Sequence, residues 1–97
     1  MIMTLIEFKK SLNNPTPPSV STLLQALWYD AKGDWKKAHA IAQDANTKDG
    51  FWIHAYLHRK EGDQFNAQYW YDRANRSMPE VSLEEEWNSI TEELISA

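Results

Sequence analysis

The chain has 97 residues, 42% apolar and 25% charged, a globular balance with room for one hydrophobic core and not for two. It contains no cysteine, which excludes a disulfide framework, thiolate catalysis and cysteine-ligated zinc. The net charge is −4, and it is unevenly placed. Residues 1–78 carry all ten Lys and Arg against eight Asp and Glu, whereas residues 79–97 hold six Glu and no base. No run of Lys or Arg exceeds two residues, so nucleic acid is not an expected partner. No stretch approaches the ~18 apolar residues of a membrane span, and the start lacks the long apolar region of a secretion signal. No membrane partner and a cytoplasmic address are the corresponding expectations.

In chain order, the first helix is expected over about Thr4–Leu12, where Thr4 and Glu7 have capping-box spacing. Pro15, Pro17 and Pro18 then make residues 13–18 a stiff linker, from which the N-terminal helix docks late or on a partner. A second helix starts near Ser19, carries Val20, Leu23, Leu24, Leu27 and Ala31, and stops at Gly33. Asp34 caps a third, with Trp35, Ala38, Ile41, Ala42 and Ala45. The fourth is expected over about Gly50–Glu61, ending at Gly62. Asp63 caps a fifth, which carries Phe65, Ala67, Trp70, Tyr71 and Ala74 and closes before Pro79. In the sixth, Ser82 and Glu85 have capping-box spacing and Leu83, Trp87, Ile90 and Leu94 form one apolar stripe. Its Glu84-Glu85-Glu86 run reads as dipole-favoured capping and a solvated face.

Residues 26–46 and 55–75 align without a gap at a period of 29. Ala26 pairs with Ala55, Gly33 with Gly62, Asp34 with Asp63, Ala38 with Ala67, Ala45 with Ala74, and Asn46 with Asn75. These are the places where a helical hairpin needs small residues at the crossing, a glycine to end one helix and an aspartate to start the next.

On these residues the chain resembles the tetratricopeptide repeat. The second unit matches that family's pattern at Ala55, Gly62, Ala67, Tyr71, Ala74 and Pro79. The first has Ala42 in place of the aromatic and Gly50 in place of the proline, and the period is shorter than the family's 34. The resemblance implies an all-α domain of two tandem antiparallel helical hairpins, residues 19–46 and 49–78. An N-terminal helix (1–12) and an amphipathic capping helix (82–96) flank them, about six helices in all. The block from Trp52 to Asp63, WIHAYLHRKEGD, also resembles one shared by a group of small uncharacterised proteins, and no activity comes with it.

Two constellations stand out. His54 and His58 are one helical turn apart, a spacing from which two imidazoles reach one ion, with His39 or Asp72 as the third ligand. The bland alternative is a hydrogen-bonded seam of Gln25, Tyr29, His39, His54, His58 and Asp72 that locks helix register. The second constellation is aromatic and basic: Trp52, Tyr56, Arg59, Tyr69, Trp70 and Arg73, residue types enriched in binding hot spots, with the hydrophobic core as the other place for these rings and the favoured one for Trp52 and Trp70. The leading expectation is a non-enzymatic interaction module that holds a protein or peptide segment or an acidic ligand on a face centred on Trp52, Tyr56 and Arg59, with Trp70. It takes no cofactor and exists as a monomer or homodimer. The alternative is a small metal- or ligand-binding protein, catalytic or not, built on His54 and His58.

Overall fold

A computed structural model describes residues 3–97 of the chain. It contains α1 (Leu5–Lys10), a 3-10 turn at Ser11–Asn13, α2 (Thr22–Ala31), α3 (Trp35–Asp44), α4 (Lys48–Lys60), α5 (Gln64–Arg73) and α6 (Leu83–Ser96). Among the described residues there is no strand, and no helix is long and apolar enough to cross a membrane.

Each helix begins where a side chain takes up a backbone N–H that the helix leaves free. Thr4, Ser21, Asp34, Thr47, Asp63 and Ser82 each accept from the amide three residues on. Thr4 and Glu7 complete the reciprocal capping box. Three boundaries differ from the expected ones, two of them because of these caps. The first helix stops at Lys10, and the 3-10 turn carries Leu12. The second begins at Thr22 and not near Ser19, because the helix-starting acceptor is Ser21. The fourth begins at Lys48, two residues before Gly50, because Thr47 caps it through the Gly50 amide at 3.1 Å.

The two Gly-Asp turns are built alike. Gly33 and Gly62 have φ of +88° and +87°, a left-handed conformation that glycine adopts without a Cβ penalty. The Gly33 amide reaches the Asp30 carbonyl and the Asp34 amide that of Tyr29. Gly62 and Asp63 do the same to Arg59 and His58. This is the Schellman pattern, and each following aspartate then caps the next helix. Ala26, Ala38, Ala55 and Ala67 are fully buried, so α2 approaches α3, and α4 approaches α5, with little side chain between the backbones.

The N-terminal helix docks on the same core despite the proline linker. Phe8 is fully buried with its ring 5.9 Å from that of Trp87. Trp28 donates its indole N–H to the Ser11 carbonyl, and Lys32 donates to that of Leu12. Helix α6 packs on α1, α2 and α4. Trp87 and Ile90 lie in the core with Leu83 and Leu94 against it, and the Trp87 N–H donates to the Leu27 carbonyl at 3.0 Å.

Candidate functional site

Trp52, Tyr56 and Arg59 do not form a surface. Trp52 and Tyr56 are buried on the inner side of α4, and Arg59 turns toward α6. The reason is Glu86, which is 2% exposed. Its carboxylate accepts from Arg59 at 2.8 Å, from the Trp52 indole N–H at 3.1 Å and from the Tyr71 hydroxyl at 2.5 Å. Arg59 also donates to the Val81 carbonyl. A buried carboxylate needs this many donors to offset lost hydration. Glu86 therefore departs from the solvated acidic run expected of it, while Glu84 and Glu85 stay exposed. Asp30, 3% exposed, is a second such centre, accepting from the Tyr56 hydroxyl at 3.0 Å and Lys60 at 2.9 Å. Burial and the adjacent carboxylates push both tyrosine hydroxyls well above the usual phenol range.

All three histidines of the chain converge. His39 comes from α3, His54 and His58 from successive turns of α4. One ring nitrogen from each lies within 4.8 Å of the others, and the His39 and His54 Nε2 atoms are 3.0 Å apart. Two indoles fix the rings. Trp35, whose N–H is held by the Leu57 carbonyl at 2.9 Å, stacks on His39 with centroids 4.7 Å apart. Trp70 from α5 stacks on His54 at 4.1 Å. His58 Nδ1 meets Glu61 at 2.6 Å. Burial, followed by His58, lowers the His39 pKa; burial, followed by His39 and His58, lowers that of His54 to about 4. Both are neutral imidazoles at neutral pH.

The polar seam is thus narrower than expected. Gln25 donates to the Val20 carbonyl, Tyr29 lies under the Lys37 ammonium, and Asp72 accepts from Gln68 of its own helix. None of the three joins the histidines, and Asp72 is not their third partner.

The other half of the aromatic and basic set is exposed. On α5, Ala67, Tyr71 and Ala74 point inward, which turns Phe65 and Tyr69 outward one turn apart, 86% and 49% exposed. Arg73, one turn further, donates to the Tyr69 hydroxyl at 3.2 Å. Its guanidinium stacks 4.9 Å from the Phe51 ring and 5.3 Å from that of Trp70. Trp70 is half-buried between this face and His54. Sequence reasoning missed the exposure of Phe65, the clamping role of Trp35 and the internal role of Glu86. Only Phe65 carried a signal, its position off the Ala67–Tyr71–Ala74 stripe.

No protein-family model, no curated protein and no solved structure matches this chain.

Proposed function

We propose that the chain is a non-enzymatic interaction module, two tandem tetratricopeptide-like hairpins, that docks a protein segment on the outer face of α5. The observation that carries the reading is the Phe65–Tyr69–Arg73 strip, with Trp70 and Phe51 beneath it. Phe65, 86% exposed, has little surface covered by the fold, and covering it fully is worth roughly 1.5–3 kcal/mol. Arg73 has no carboxylate within ion-pair reach among the described residues, its guanidinium resting on three rings instead. Aromatic rings beside an arginine are the residue types that dominate binding energy at interfaces. The segment that fits carries an apolar side chain for Phe65 and Tyr69 and a carboxylate for Arg73. The binding face thereby moves from the Arg59 side of α4, whose charge is taken by Glu86, to the Arg73 side of α5.

The test is site-specific photo-crosslinking in the native host, with a benzophenone side chain at position 65, at 69 and, as a control, at 84. The expected result is one discrete adduct from 65 and 69, absent at 84 and abolished by Arg73→Glu. Equal labelling at all three positions, or labelling indifferent to Arg73→Glu, sinks the reading.

A further inference from the structure

We propose that His39, His54 and His58 form a binding site for one divalent transition-metal ion, of the zinc, cobalt or nickel class, bound through three imidazole nitrogens with a fourth position left open. The site is independent of the α5 docking face, except that Trp70 lies between them.

Geometry comes first. In a tetrahedral site with Zn–N bonds near 2.05 Å, two ligand nitrogens sit about 3.3 Å apart. The His39–His54 pair stands at 3.0 Å, and the whole trio lies within 4.8 Å. Side-chain torsions that close the widest spacing, at most 4.8 Å, to about 3.3 Å bring all three nitrogens onto one ion.

The second argument is orientation. His58 engages Glu61 through Nδ1 at 2.6 Å, so that nitrogen carries the proton and Nε2 keeps the lone pair. A carboxylate behind a ligating imidazole is the usual support of a metal site, where it fixes the tautomer and raises basicity. Trp35 and Trp70 stack on the other two rings and limit their rotation before any ion arrives.

The third argument is chemistry. Metal ligation requires neutral imidazole, the form an unperturbed histidine mostly takes at neutral pH. Donors that are all imidazole, with neither thiolate nor carboxylate among the three, suit zinc, nickel and copper over magnesium or calcium. His39 and His58 are partly exposed while His54 is buried, so an ion has a path in from solvent. A neighbouring group, His58, Glu61 and Asp63, does not compete. Asp63 caps α5, and its two oxygens accept from the Asn66 amide and side chain.

The two-imidazole contact also shows what an ion would relieve. Nε2 facing Nε2 at 3.0 Å is a hydrogen bond only when one carries a proton and the other does not. One ion replaces that single shared proton with bonds to both nitrogens and to the third.

The experiment is a cobalt titration of the untagged full chain, followed by zinc competition. The expected result is one Co²⁺ per chain with the intense visible absorption of a tetrahedral complex, displaced by equimolar zinc and absent in His39→Ala. Glu61→Gln should keep the band and weaken affinity by about 10–100-fold. If His39→Ala does not fold, imidazole ¹⁵N spectra of the wild-type chain with and without zinc decide instead, with shifts expected at all three histidines. Only the weak absorption of aqueous cobalt in the wild type, a band that persists in folded His39→Ala, or zinc-induced shifts confined to other side chains would overturn the site.

Discussion

Arg59 of α4 and Glu86 of α6, 27 residues apart in sequence, form a 2.8 Å ion pair whose acid is 2% exposed. This pair joins the helices that bring Trp52, Tyr56 and Trp87 into the core, and Trp52 and Tyr71 complete the same carboxylate. Removing the arginine leaves a buried charge with its ionic partner gone, which typically costs about 3–5 kcal/mol. The Arg59 side chain is 17% exposed, so the lower end applies. Arg59→Ala should lose about 3 kcal/mol in urea unfolding. In a double-mutant cycle with Glu86→Gln, the losses should fall well short of additive. A surface role for Arg59 predicts an unchanged midpoint.

The helices and their order were readable because their signals are local: a capping side chain, a glycine, an apolar stripe. All six N-caps are Ser, Thr or Asp, and both Gly-Asp turns follow from two residues each. Glu86 shows where such reading stops. In the first turn of α6 it looks like Glu84 and Glu85, and only the approach of Trp52, Arg59 and Tyr71 from other helices distinguishes it. Arg59 and Arg73 differ for the same reason, one meeting Glu86 and the other only rings. The i, i+4 spacing of His54 and His58 was visible, but it left His39 and Asp72 equal as the third partner. Trp35 and Trp70, which hold the rings, decide for His39.

The histidine cluster has a pH signature of its own. The His54 pKa is lowered from 6.5 to about 4, chiefly by burial and then by His39 and His58, and that of His39 is lowered too. Glu61 opposes the shift at His39. Below pH 6.5 the unfolded chain takes up protons that the folded one refuses, so the stability these groups contribute is present above 6.5 and lost on acidification toward 4. In chelator, the unfolding free energy should fall between pH 6.5 and 5, by up to about 1.4 kcal/mol per unit for the buried His54. That window lies above the ordinary carboxylate range. A His39→Gln/His54→Gln variant should flatten the slope; an unchanged slope places the titration elsewhere.

At the alkaline end the tyrosines act with the opposite protonation logic. Tyr56 and Tyr71 are buried and donate to Asp30 and Glu86, and both hydroxyls are held above their ordinary pKa of 10. The unfolded chain therefore gives up these protons first. Stability is full below about pH 10 and drops above it, at up to about 1.4 kcal/mol per unit for each group. Denaturant midpoints at pH 8, 9, 10 and 11 should stay level and then fall. Tyr71→Phe, though less stable throughout, should show the shallower fall.

Gly33 and Gly50 should fail on substitution for different reasons, and the pair makes the sharpest test of the fold. A Cβ on Gly50 would sit 2.6 Å from the Ala45 carbonyl oxygen and 2.7 Å from the Ala45 Cβ, where α3 ends and α4 begins. Neither group is the tip of a flexible side chain, so the backbone must shift. An overpacking cost of about 1–3 kcal/mol outweighs the helix-propensity gain of up to about 1 kcal/mol. A Cβ on Gly33 meets nothing within 4 Å, but the residue holds φ at +88°, and the left-handed conformation costs an alanine roughly 1–2 kcal/mol. Asparagine tolerates that conformation better, as Asn75 does at φ 59° just after α5. Gly33→Asn should therefore be milder than Gly33→Ala in thermal unfolding. At position 50 the order should reverse, because the larger side chain deepens the clash. The same order at both positions would mean that the close approach of Gly50 to Ala45 is absent in solution.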